Sequence, residues 1–470
     1  MEKIIHHVEA YLDRVFSIHA YGITDIDAVA SELKKDSDEL SRNILQVLIE
    51  EINETFRDDK STRKEIGLVI KEKDRPRSIL TELGEIRFHR DYYYNKNTDS
   101  YETPLDHMLS VQQRARIGDT ISAKLVTKAT DESYARSAQD VTGGLVSRQS
   151  VRNHILKAPE LERQPESEEK KQRSILDVYA DEDHVHLQKP GKEKGKKSKV
   201  VPLVTVTEGT VNIGKGRNAT LNPMHFVDEN MDGKELWGSV EGYIGKVYDP
   251  DTLEKVRIHG DGGAWIKNGL ENFANVEHVL DGYHLQKYLR SVSNRFPGKS
   301  VRYRLNEALA QADHDRVEAI LGSLAKECKS EKDLGKVQEL QTYLFSNWEA
   351  AVNRFQEDVS GSCTEGQVSH VLSERFSRNP MGWSEKGLGK LSKLRVYCKN
   401  GGEITAAHFK SSYKREETYK NYAEHYLEER IGTYDLSWIS DMRERYVFDT
   451  ASGTQQAIKK LGRIRNDIFC

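Results

Sequence analysis

The segments ILDVYADEDHVHL (175–187) and KVRIHGDGGAWI (255–266) each run an apolar, β-branched stretch into aspartate. Such residues fit a pleated, half-buried surface, so both segments are read as strands. Asp181 lies inside the first strand, among neighbours that would be buried. Asp261 ends the second, and the Gly262–Gly263 pair after it lets a backbone or a substrate approach closely. A buried or strand-end carboxylate is costly unless neutralised, and a metal ion is a common neutraliser. Alternation along a strand puts Asp183 on the same face as Asp181, so Asp183 is a possible substitute for it. Neither motif is decisive alone, because an Asp-Gly pair is usually only a turn.

Working outward, VVPLVTVTEG (200–209), LWGSVEGYIGKVY (236–248) and NVEHVLDGYHL (275–285) are also read as strands, all within residues 173–300. The lysine-rich KPGKEKGKKSK (189–199) is read as a solvated loop beside a phosphate backbone, or as a solubilising hairpin tip. From Arg302 to Val359 the period is helical, and Val337, Leu340, Leu344, Trp348, Val352 and Phe355 form one stripe, read as core. The segment SGSCTEGQVSHVLSERFSRNPMGWSEKGLGKLSKLR (360–395) then opens a helix at Glu365. A glutamate there can simply complement the helix dipole. The order of strand Asp, strand-end Asp, helical insert and helix Glu points further. Three such carboxylates can hold two magnesium ions about 3.5–4 Å apart for phosphoryl transfer. Asp281 and His284 form a D-x-x-H pair, with Lys287 and Arg290 one and two turns on. The alternative for that pair is a helix cap and a surface histidine.

The first 83 residues are read as a helical region, with Ile4, Val8, Leu12 and Phe16 in one row and Leu40, Ile44, Val47, Leu48 and Ile52 in another. Residues 84–112 are read as a β-hairpin segment around Tyr92, Tyr93 and Tyr94. Residues 113–158 contain SYARSAQDVTGGLVSRQSVRNHILK (133–157), read as a helix-turn-helix. Ala135, Ala138 and Val141 face inward, Gly143–Gly144 make the turn, Ser147 caps the second helix, and Val151 and Ile155 are buried. Arg148, Gln149, Arg152 and Asn153 remain on the outer face, where such side chains can read major-groove edges. A plain helical hairpin is the alternative. PELERQPESEEKKQ (159–172) is polar with two prolines, and is read as an interdomain linker.

Composition leaves the partner open, since a net charge of −4 is the balance of 71 basic and 75 acidic residues. Phosphate binding needs local basic surface, not a basic sum. No apolar run approaches the roughly 18 residues of a membrane span, so no membrane partner is expected. The N-terminus has no signal-peptide pattern, and the four cysteines contain no C-x-x-C pair. A zinc ribbon and a disulfide scaffold are therefore not expected, and the reading is cytoplasmic.

The blocks LGEIRFHRDYYY (83–94), YADEDHVHLQ (179–188), GDGGAWIK (260–267), LDGYHLQKYL (280–289) and 364–395 resemble the insertion-sequence transposases of the Lre-two group, long catalogued as an uncharacterised bacterial family. The resemblance covers nearly the whole chain. It implies an α/β fold with a ribonuclease H-like core, a mixed sheet flanked by helices. The core would be formed by residues 173–300 and by 361–470, the latter also carrying C-terminal helices, with a helical insertion at 301–360. It implies an Asp-Asp-Glu triad, carried over to Asp181, Asp261 and Glu365 as catalytic residues and ligands of two Mg²⁺ (or Mn²⁺) ions, and Asp281–His284 as an auxiliary motif. The implied partners are double-stranded DNA, both transposon ends and target, and further copies of the chain in a dimer or larger synaptic assembly on the nucleoid. One departure is Asp181-Glu182-Asp183, where the family often has Asp-Gly; Glu385 in WSEKG is a rival to Glu365. Two other classes stay open. One is a zinc hydrolase using His184 and His186, whose H-x-H spacing puts both imidazoles on one strand face. The other is a non-catalytic DNA-binding regulator that keeps an inactive core.

Overall fold

A computed structural model describes residues 2–21, 25–163, 169–188, 198–214, 218–228, 233–359, 361, 363–379, 381–410 and 419. The chain divides into two compact units, residues 1–118 with 410–470, and residues 119–409. Most of the lysine-rich segment 189–199, and residues 164–168 of the expected linker, lie outside the described residues.

In the first unit, α1 (Glu2–Tyr21), α2 (Ile26–Asp58) and α3 (Lys60–Glu65) precede an antiparallel sheet of β1 (Leu68–Thr81), β2 (Gly84–Asn95) and β3 (Ser100–Glu102), followed by α4 (Pro104–Met108). Asp25 caps α2 by accepting from the Asp27 and Ala28 amides. Ile49 of α2 packs with Ile79, Ile86, Phe88 and Leu105. The sequence reading runs the helical region to residue 83, whereas residues 68–81 form a strand. The reason is visible in LVIKEKDRPRSILT: its charges break any helical stripe, and Pro76 is tolerated because β1 is an edge strand.

The second unit opens with α5 (Asp119–Asp131), α6 (Tyr134–Thr142) and α7 (Arg148–Lys157). Then come β4 (Ile175–His186), β5 (Ser198–Thr207), a small hairpin of β6 (Thr210–Asn212) and β7 (Asn218–Thr220), β8 (Met224–Val227), α8 (Gly233–Val247), β9 (Lys255–Gly260), α9 (Ala264–Asn268) and β10 (Val276–Leu280). Helices α10 (Gly282–Ser293), α11 (Val301–Ala310), α12 (His314–Glu327), α13 (Glu331–Ser346) and α14 (Trp348–Asn353) follow. Last are α15 (Thr364–Val368), a π-helical turn at Ser369–Ser373, α16 (Glu374–Phe376) and α17 (Glu385–Lys399). The sheet order is β10-β9-β4-β5-β8. β10, β9 and β4 run parallel, whereas β5 is antiparallel to both β4 and β8. The architecture is mixed α/β, a five-stranded mixed sheet flanked by helices.

One predicted strand is corrected. LWGSVEGYIGKVY forms most of α8, not a strand, and the last strand of the sheet is β8. Leu236, Trp237, Val240, Ile244 and Val247 are buried at helical spacing against Leu176, Val178, Ala180, Val204, Val206 and Ile258. Gly238, Gly242 and Gly245 lie on the exposed side, where they dilute the helical signal. Gly269 meets this core from the turn after α9, and a Cβ there would enter the Trp237 indole. Gly269→Ala is therefore expected to destabilise the protein by about 1–3 kcal/mol through overpacking, read as a lower thermal midpoint. An unchanged midpoint would show that the indole shifts freely.

The stripe read from residues 337–355 is core as expected: Val337, Leu340 and Leu344 are buried with Leu305, Leu321 and, from α10, Leu285 and Leu289, while Trp348 and Phe355 pack at its edge. In the three-helix segment Ser133 and Ser147 cap α6 and α7, Gly143 takes φ 60°, and Val151 and Ile155 are buried. Ala135 is exposed instead of inward, and Ser137 takes the buried place, donating to Leu125 O at 2.7 Å. Among the described residues no helix is long and apolar enough to cross a membrane.

Candidate functional site

Strand β4 presents two chemically different faces. Leu176, Val178 and Ala180 enter the apolar core under α8, and Asp177, Tyr179, Asp181 and Asp183 project from the other side, all buried. Parallel pairing sets Tyr179 opposite His259, and Gly260 opposite Leu280. Carrying that register onward by two residues and by one aligns Asp181, Asp261 and Asp281 in a single row. The row stands at the carboxyl ends of β9 and β10 and across β4 beside them. The Asp281 amide donates to Gly260 O at 2.7 Å, which fixes the end of β10 against the end of β9. The space beyond the carboxyl ends of parallel strands is where open α/β sheets bind ligands.

The row concentrates negative charge in a poorly solvated place. Burial pushes the Asp181 carboxyl up to about 6, with Asp281 and Asp261 adding repulsion, against the Glu182 amide and His284. Asp281 accepts from the His284 amide at 2.9 Å, capping α10, and meets the same residue's Nδ1 at 3.1 Å. That hydrogen bond, outweighing burial and aided by Asp181 and Asp261, raises the His284 pKa. Asp261 accepts from the Gly263 amide at 2.8 Å. Gly262 has φ 87° and faces the Asn347 side-chain amide, so both backbone angle and space demand glycine. From α13, the Tyr343 hydroxyl is buried without a hydrogen-bond partner, and burial, then Asp261 and Asp281, push its pKa up.

Below the row lies an ionic layer. His259 Nε2 meets Asp177 Oδ1 at 2.8 Å. Arg257, 2% exposed, reaches Glu277 at 2.9 Å, Asp358 at 2.5 Å and Asp177 at 3.7 Å. The sequence carries a signal for this layer, because Arg257, His259 and Asp261 alternate along one strand. Asn347 and Tyr343 gave no such signal; they reach the site from the helical insertion.

The remaining sequence candidates divide. Asp183 is buried, accepts from the Ser377 hydroxyl at 2.8 Å, and keeps Oδ2 without a hydrogen-bond partner; burial raises its pKa. Glu365 is exposed on α15, a helix that packs on β4. Its carboxylate is not drawn in with the two aspartates. Among the described residues, the group of three metal-type side chains whose ligand atoms lie within 4.8 Å of one another is His314, Asp315 and Glu318, exposed on α12. Glu385 is a surface residue, 67% exposed and paired with Lys199 at 2.9 Å. His184 and His186 are exposed and belong to no such group among the described residues. Arg148, Gln149 and Asn153 are exposed on α7 with Arg152 half-buried, and Lys287 and Arg290 are exposed on α10. The site thus gathers Asp181, Asp261, Asp281 and His284. The three carboxylates of the row are oxygen donors of the kind a hard divalent cation such as Mg²⁺ takes, and among the described residues their ligand atoms are not drawn within 4.8 Å of one another.

Fold and site define a class: a mixed α/β protein with a carboxylate row at the ends of parallel strands. The chain belongs to the Uncharacterised protein family (UPF0236), which it matches over residues 22–412. A UPF0236 protein of Caldanaerobacter subterraneus subsp. tengcongensis, whose name carries eleven locus designations, is 35% identical over 381 residues, 81% of this chain and 79% of the relative. A second from that organism, with four designations, shows the same identity and coverage. A UPF0236 protein in the vanSb 3′ region of Streptococcus gallolyticus is 22% identical over 354 residues, 72% of this chain and 75% of the relative.

Proposed function

We propose that this protein is a DNA transposase, a nuclease and strand transferase with a ribonuclease H-like core. The observation that carries the reading is the row of Asp181 and Asp261 on neighbouring parallel strands, with Asp281–His284 beside it. Three further features support it. The sheet is mixed and flanked by helices, and α11–α14 stand between Asp261 and Glu365, where a helical insertion is called for. An outward-facing α7 carries Arg148, Gln149, Arg152 and Asn153. The relatives named for many loci of one genome are what a self-copying element leaves behind.

Asp181 and Asp261 would hold Mg²⁺ or Mn²⁺, two ions once Glu365 joins them. When bound there, such cations would supply a lowered pKa for an attacking water and charge stabilisation for a departing 3′-oxygen. Asp181 gives up its proton as its neighbours are neutralised, and His284, steadied by Asp281, offsets the charge that remains. Lys287 and Arg290 meet phosphates, while α7 reads base edges of the ends. No serine or tyrosine nucleophile is required, and two ends call for two or more copies of the chain at the nucleoid. The exposed Glu365 favours a second reading, a DNA-binding regulator that does not cut.

The test is cleavage and joining of DNA carrying the ends of the encoding element, with Mg²⁺ or Mn²⁺. Wild type is expected to cut and join, and Asp261→Ala and Glu365→Ala to bind the ends without cutting. Binding without cutting by wild type would favour the regulator.

A further inference from the structure

The helix that carries Glu365 is irregular just beyond it. α15 runs into the π turn, where the Glu374 amide donates to Ser369 O, five residues back. Such a turn inserts one residue, takes carbonyls out of the usual ladder, and is frequent at functional sites. Here those carbonyls meet a side chain. Arg395 of α17, 2% exposed, donates through Nη2 to His370 O at 2.8 Å and through Nε to Val371 O. Through Nη1 the same guanidinium reaches Thr130 O at 2.8 Å and the Asp131 carboxylate at 2.5 Å. Thr130 and Asp131 end α5, whose last carbonyls have no partner inside the helix. Arg375 of α16 takes another of them, Ala129 O, at 3.0 Å, with its guanidinium 4.7 Å over the Trp383 ring.

We propose that Arg395 is a positioning residue for Glu365, fixing the register of the π turn and tying it to the end of α5. The proposal rests on the transposase reading for its consequence, not for its geometry. Restoring ordinary helical register at 369–373 would rotate α15 by about 100° about its axis, since one residue turns an α-helix by that much. α15 packs on β4 with Glu365 exposed, so the register fixed here holds that carboxylate in solvent, and such a rotation would change the face it presents. α5 also packs against α6 and α7, which gives a load on the recognition helix a short route to Arg395 and the π turn.

Arg395→Lys tests this, because lysine keeps the charge and loses the planar fork of five donors. In hydrogen exchange of the full chain, amides 364–376 should exchange at least about tenfold faster in the variant, with β4 and β9 unchanged. Equal protection of 364–376, or loss of protection throughout the unit, would overturn the proposal. A Mn²⁺ titration reads the consequence. Because the register that Arg395 fixes leaves Glu365 exposed, Arg395→Lys should tighten Mn²⁺ binding by about tenfold in the wild-type background and leave it unchanged in Glu365→Ala, since it acts only through Glu365. No tightening in the wild-type background, or an equal change in both, would make Arg395 a general structural residue and sink the idea. A wild type that binds no Mn²⁺ refutes the transposase reading, and the exchange result then decides the positioning by itself.

Discussion

Asp181→Asn is expected to stabilise the metal-free protein and to remove at least about 10³-fold of strand cleavage, since metal-held charge supplies several kcal/mol of transition-state stabilisation. Both effects have one source. The Asp181 carboxyl is buried beside Asp261 and Asp281, which lifts it to about 6. Its pKa is therefore higher in the folded chain than in the unfolded one. Below pH 4 or so the proton is bound in both states and the group costs nothing. As pH rises from there through about 6, the unfolded chain ionises first and stability falls. Above pH 7 the penalty is complete, on the order of 3 kcal/mol. Asparagine keeps the shape and removes the charge, so the variant should melt several degrees higher at pH 8 and at nearly the same temperature at pH 4. Divalent cation should raise the wild-type midpoint at pH 8 and leave the variant less affected. Thermal melts at the two pH values, with and without Mg²⁺, measure the stability effect, and the cleavage assay on end-bearing DNA measures the other. A variant less stable than wild type at pH 8 would mean that Asp181 is satisfied by hydrogen bonds and does not wait for a cation.

Much of this site could be read before any coordinates. Asp181 and Asp261 were legible because strand residues change their periodicity when a carboxylate interrupts an apolar run, and because Gly262 follows. The register that aligns them could not be read, since parallel pairing between residues 179 and 259 depends on the packing of everything between. Asp281 looked like a cap and is one, yet its place at the end of the next parallel strand also makes it part of the row. α8 was missed for a local reason: three glycines on its solvent side interrupt the apolar spacing that its buried side keeps. Residues 68–81 failed the other way, their charges hiding a long edge strand whose partner, β2, was recognised. Tyr343, Asn347 and Arg395 were beyond reach, because each acts on a segment far away in sequence and on a helix whose pattern is fully explained by its core. Local pattern names the residues that break a rule; it does not name the ones brought in to accommodate them.

Arg257→Met should have the largest effect on stability. Arg257 is 2% exposed and serves three carboxylates, Glu277, Asp358 and Asp177, so methionine fills the stem's volume and strands the charges around it. Breaking a buried pair from one side typically costs about 3–5 kcal/mol, because the partner charge stays behind without its counter-ion. The three partners are not equal. Asp358 is 53% exposed and can turn to water, whereas Asp177 retains His259 at 2.8 Å. Glu277 keeps Gln356 at 3.0 Å and Lys255 at 3.3 Å. The loss should therefore sit near the lower bound, about 3 kcal/mol, a fall of roughly 6–12 °C in midpoint for a unit of this size. The pH dependence identifies the partner responsible. Burial raises the Glu277 pKa, but Arg257 and Gln356 outweigh it and hold the group below its usual value. The stability that comes from this is present above the unfolded pKa and is lost as pH falls through the folded one. With Arg257 gone, the difference between wild type and variant should be greatest near neutrality and shrink toward pH 4. Adding Glu277→Gln to Arg257→Met should recover part of the loss, since it removes the stranded charge. No recovery in the double variant would place the cost on Asp177 and the imidazole above it, and with it on the layer that supports Asp181 and Asp261.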